Sequence, residues 1–117
     1  MEPIDIAMTA VKALSNKKGI DIKLLRTTDV TVLADYFLIC TASSTPHVKA
    51  LTEEVERLLD EAGEPPLRRE GFRSGTWVLL DCGSVIVHIF MQETREFYNL
   101  ERLWSDAEEV ALQTSEE

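Results

Sequence analysis

Residues Tyr36-Phe37-Leu38-Ile39-Cys40-Thr41 form an unbroken apolar run, with no charged side chain and no alternation of wet and dry positions. Successive side chains of a strand point to opposite faces, so a strand that is apolar throughout is covered on both. The run therefore reads as a central strand, with packing on each side of its sheet. The neighbouring segments supply that packing. Residues 3–16 carry Ile4, Ala7, Met8, Val11 and Leu14 at helical spacing, with Gly19 placed for a left-handed stop. Ile20, Ile22 and Leu24 alternate with Asp21, Lys23 and Leu25 as a strand, and residues 27–33 fit a turn, a strand or a buried loop. Ser43-Ser44-Thr45-Pro46 opens a second helix over residues 46–62, with Val48, Leu51, Val55, Leu58, Leu59 and Ala62 as its stripe. Its opposite face (Glu53, Glu54, Glu56, Asp60, Glu61) reads as solvated.

After the stop at Gly63-Glu64-Pro65-Pro66, Leu67 to Glu70 reads as a short edge strand. Thr76 to Asp81 and Val85 to Met91 read as a hairpin joined through Cys82-Gly83-Ser84. Gln92 to Trp104 reads as one helix with Phe97, Leu100, Leu103 and Trp104 on one side, and the acidic tail from Asp106 is expected to fray. The order α-β-β-α-β-β-β-α implies one domain over residues 1–117. Its class is α/β (α+β), a mixed five-stranded sheet flanked by helices.

Charge narrows the partners. Lys+Arg number 12 and Asp+Glu 21, a net charge of -9. A net anion is repelled by phosphate at long range, which argues against a nucleic-acid coat and leaves a basic protein or a small ligand open. Cys40 and Cys82 each lie in an apolar run and read as small buried hydrophobes in a reducing compartment. With only His47 and His88 besides, no Cys/His set has metal-ligand spacing. Glu2 and Asp5 stand where a signal peptide carries positive charge, and no apolar run approaches a membrane span, so the expected address is cytoplasmic.

Catalytic signatures are weak. Cys82 and His88 sit on consecutive hairpin strands, but no third residue is set to orient them. A nucleotidyl-transfer site needs a Gly-Ser turn followed by paired carboxylates on adjacent strands. Gly83-Ser84 is present, yet Val85 to Met91 carries no acid and Asp81 stands alone. No catalytic, cofactor-binding or metal-binding residue is assigned. His88 reads as a core histidine with a hydrogen bond, and His47 as a solvent-facing residue of a helix first turn.

The last third of the chain carries the more suggestive chemistry. Trp77, Leu79 and Asp81 share one face of their strand. Trp77, Tyr98 and Trp104 lie among Asp81, Glu93, Arg95 and Glu101, which is the composition of an aromatic interface with an ionic rim. Trp104 and Phe97, at stripe positions, read instead as filling the space under the last helix.

Three segments resemble the ribosomal silencing factor (Iojap/RsfS) family. They are Asp35 to Ser44 with His47-Val48, Trp77 to Phe90, and Arg95 to Trp104. The resemblance implies a nucleotidyltransferase-like fold without the catalytic carboxylates, no cofactor and no turnover. It implies binding to the large ribosomal subunit through its fourteenth protein, steric blocking of subunit joining, a part in large-subunit biogenesis, and a homodimer when free. On this reading Trp77, Leu79 and Met91 form an apolar centre for the partner, with Tyr98 beside it, and Asp81, Glu93, Arg95 and Glu101 form the rim. The alternative is a degenerate nucleotidyltransferase-like enzyme or nucleotide binder.

Overall fold

The structure is a computed structural model that describes residues 1–112. Its elements are α1 (Pro3–Asn16), β1 (Ile20–Arg26), β2 (Tyr36–Ala42), α2 (Thr45–Glu61), β3 (Arg68–Glu70), β4 (Trp77–Asp81), β5 (Val85–Met91), α3 (Gln92–Tyr98), α4 (Leu100–Leu103) and β6 (Glu108–Val110). Six strands form one sheet in the order β3-β4-β5-β2-β1-β6. Among the described strands only β2 and β5, at the centre, run parallel. The other pairs are antiparallel. No helix among the described residues is long and apolar enough to cross a membrane.

The apolar run is β2, and it is covered on both faces. On one face α1 and α2 pack over Leu24, Leu38, Cys40, Val78, Leu80, Val87 and Ile89. On the other, Leu25, Phe37, Ile39 and Phe90 form a smaller cluster, joined by Trp77, Leu100 and Trp104.

Several expectations change. The sheet has a sixth strand: β6 pairs with the outer edge of β1, Glu108 opposite Arg26 and Val110 opposite Leu24. The tail therefore does not fray at Glu108–Val110, because backbone pairing to an open edge holds three residues that their side chains do not mark. The part of the tail at residues 113–117 lies outside the described residues. The last helix is broken rather than continuous. Asn99 takes the left-handed conformation (φ 49°) and ends α3, and its side chain accepts from the Arg102 N–H to start α4.

The stop after α1 is also different. Lys18 takes the left-handed conformation, and Gly19 is required for space, since a Cβ there would sit 2.5 Å from Cys40 Sγ. Finally, two residues read as solvent-facing are structural ties. Glu54, only 7% exposed, accepts from Asn16 Nδ2 (3.2 Å) and from the Arg57 guanidinium (2.9 and 3.0 Å), which lowers its carboxyl pKa. His47 Nδ1 accepts from the Ser43 N–H (2.9 Å), so Nε2 donates to the Lys17 carbonyl (2.8 Å) and clasps the start of α2 to the end of α1.

Candidate docking surface

Pairing register decides which side chains of the hairpin meet. Trp77 lies opposite Phe90, Leu79 opposite His88 and Asp81 opposite Ile86. These six therefore share the sheet face that carries α3 and α4. Met91 falls on the other face, where it packs against the α1/α2 core. The expected apolar centre thus keeps Trp77 and Leu79 together and loses Met91, which a tight hairpin places one residue out of phase. The same parity separates Cys82 from His88. Cys82 packs with the α1/α2 core, so the two cannot form a nucleophile–base pair. Burial pushes both thiols, Cys40 and Cys82, up to about 12, which leaves them protonated and unreactive at neutral pH.

Trp77 is half-buried. Its indole N–H donates to His88 Nδ1 (3.1 Å), and its ring packs on Phe90 (4.9 Å between centroids) and Tyr98 (4.6 Å). Tyr98 in turn meets Phe97 edge-on at 5.0 Å. Phe97 is 80% exposed and Leu103 68% exposed, and both line a shallow depression with Tyr98 and Arg102. The break at Asn99 causes this. A continuous helix keeps Phe97, Leu100, Leu103 and Trp104 on one stripe, whereas the break sends Leu100 and Trp104 inward and leaves Phe97 and Leu103 outside. The two residues missed as surface candidates could have been found from Asn99, the non-glycine residue most at ease in that conformation.

The charged rim divides. Glu93 is exposed in the first turn of α3. Arg95 is 5% exposed and is spent inside the fold. It donates to the Asp21 carbonyl (2.8 Å), the Thr41 hydroxyl (2.8 Å) and both Glu101 oxygens (3.0 and 3.2 Å). Glu101 also meets Lys23 at 3.4 Å, and the Arg95 bonds hold its carboxyl below the usual range. Arg95 thus ties α3 to β1 and β2 and is not a rim residue, which sequence spacing could not show across 74 residues. Asp81 accepts from the Gly83 N–H (2.9 Å) and pairs with Arg68 (3.2 Å). Its carboxylate shapes the β4–β5 turn and braces β3.

Fold and site together describe a small α+β domain with one sheet face sealed by two helices and an aromatic patch left open on the other. The chain belongs to the family described as ribosomal silencing factor during starvation, whose model matches residues 1–117. It is 38% identical over 109 residues to a ribosomal silencing factor of Halalkalibacterium halodurans, covering 93% of each chain. With that of Bacillus subtilis it shares 40% identity over 107 residues, 92% of this chain and 91% of the relative. A mouse protein named for mitochondrial assembly of the ribosomal large subunit is 31% identical over 98 residues, 81% of this chain and 43% of that one. A crystal structure of a Chromobacterium violaceum protein superposes with a TM-score of 0.88 at 36% identity, covering 98% of this chain and 95% of that one.

Proposed function

We propose that this protein represses translation in the cytoplasm by binding the free large ribosomal subunit through its fourteenth protein and blocking, by volume alone, the joining of the small subunit. A part in large-subunit assembly belongs to the same reading. The observation that carries it is the contiguous aromatic patch of Trp77, Tyr98 and Phe97, continued by Leu79 and Leu103, on a sheet face that α3 and α4 leave partly open. Large aromatics held rigidly at a surface are the usual anchors of protein interfaces. The family membership supports a ribosomal partner. The charge of -9 supports a basic one, since opposite potentials steer encounter and select against other surfaces. The rim is assigned to exposed Glu93 and, at its edge, to Asp81. Free of the subunit, the chain is proposed to pair with a second copy.

The test adds the protein to separated subunits and follows both co-sedimentation with the large subunit and the joined peak. Joining falls, and co-sedimentation weakens as salt rises. Undiminished joining overturns the mechanism. Binding that survives Trp77→Ala with Phe97→Ala overturns the placement of the surface. A thermal shift with nucleoside triphosphate and magnesium would favour the nucleotide-binding alternative.

A further inference from the structure

Among the described residues the His88 side chain makes a single hydrogen bond, from Trp77. It lies on β5 between Leu79 of β4 and Ile39 of β2, 4% exposed, beside Phe37 and Phe90 of the smaller apolar cluster. Its ring stacks parallel to Phe90 (7° between planes, 5.8 Å) and meets Phe37 at 5.3 Å. The indole of Trp77 can only donate, so His88 Nδ1 accepts and the proton of the neutral ring sits on Nε2. Nε2 is buried and has no hydrogen-bond partner among the described residues. A buried donor without an acceptor costs the fold more than one ordinary hydrogen bond returns. A phenylalanine at this position would fill the same aromatic space without that cost. What the histidine adds is confined to its hold on Trp77.

We propose that His88 is a positioning residue for the docking surface, fixing the Trp77 indole in its docking orientation before the partner arrives. The inference rests on the reading of the Trp77 patch as that surface. Two consequences follow from the geometry. The indole is ordered in the free protein, so docking loses less conformational freedom at its central anchor. Its one polar atom is also satisfied within the chain. The partner therefore needs no acceptor opposite Nε1 and meets Trp77 with an apolar side chain or the stem of a lysine or arginine.

The test uses the full chain and separated large subunits. In the unsubstituted protein, the ring nitrogen resonances of His88 report an Nε2–H tautomer with Nδ1 as acceptor. His88→Phe melts no lower than the parent, yet its Trp77 indole N–H resonance moves upfield and exchanges faster with water, and affinity for the large subunit falls ~5-fold. His88→Asn, whose side-chain oxygen stands where Nδ1 does, melts lower but restores the resonance and most of the affinity. In a Trp77→Phe background, His88→Phe causes no further loss. An Nδ1–H tautomer in the parent overturns the proposal without any variant. So does a His88→Phe chain with unchanged indole resonance and affinity while Trp77→Ala weakens binding, and that result leaves the docking reading standing. Binding untouched by Trp77→Ala is the separate result that removes the docking surface and the role of His88 with it.

Discussion

On the α1/α2 side of the sheet, Leu38, Leu51, Val55, Leu80 and Ile89 are fully buried against one another, and the buried polar side chains of α2, Thr52 and Glu54, are hydrogen-bonded. On the α3/α4 side the cluster is smaller, it mixes the aromatics Phe37, Phe90, Trp77 and Trp104 with aliphatic side chains, and a buried histidine and arginine lie on the same side. Beyond it, Tyr98, Phe97 and Leu103 are left exposed. The first face is built for stability, since close-packed aliphatic side chains fill it without voids and ask for no polar partners. The second accepts polar groups and open apolar surface that a stability-driven layer would discard. The contrast separates the residues that hold the fold from those that present a surface, and substitutions on the two sides should separate in the same way.

The largest effect belongs to the sealed face. Leu51→Ala, in the middle of α2, is expected to cost about 3 kcal/mol, read from the denaturation midpoint, while large-subunit affinity per folded molecule stays unchanged. A comparable loss on the open face comes from pH. Burial pushes His88 down to about 4 from 6.5. Between those values the unfolded chain binds a proton that the folded chain does not, so stability is full above pH 6.5 and falls by about 3 kcal/mol as pH drops to 4. His88→Phe flattens that slope. Glu101 and Glu54, held low by their guanidinium partners, lose their contribution in a lower window, as pH falls below the ordinary carboxylate value of 4.5 through their depressed ones. Stability measured against pH for the parent and His88→Phe resolves the two windows.

A middling effect is expected at the joint between α3 and α4. Asn99→Ala removes the cap on α4 and forces alanine into the left-handed region, together about 2 kcal/mol. Asn99→Gly keeps the turn and loses only a few tenths of a kcal/mol. Urea melts of the two variants check the order. This joint also shows where the sequence was legible and where it was not. The β2 run and the β4–β5 hairpin were legible because burial on two faces demands continuous apolarity, and the parity of a strand assigns Trp77 and Leu79 to one face. Met91 was misplaced because parity across a hairpin depends on turn register. The sixth strand was invisible because β6 is held by backbone bonds that acidic side chains do not advertise. Arg95 looked like a rim charge because nothing local to it shows that the Asp21 carbonyl and Thr41 stand within reach.

The smallest change in stability should accompany a clear change in docking. Phe97 touches Tyr98 at its edge and is otherwise surrounded by solvent, so Phe97→Ala removes little buried area and should shift stability by less than about 0.5 kcal/mol. If the α3/α4 side presents the docking surface, the same substitution removes an anchor and weakens large-subunit binding ~10-fold, by co-sedimentation at fixed salt. Leu103→Ala, which lines the same depression, should act in the same direction and more weakly. Leu51→Ala shows the opposite pattern, with stability lost and affinity per folded molecule kept. A Phe97→Ala chain that binds as the parent does removes the α3/α4 end from the interface. Contact would then be confined to Trp77 and Leu79 on β4, at the opposite end of the patch from the helix break.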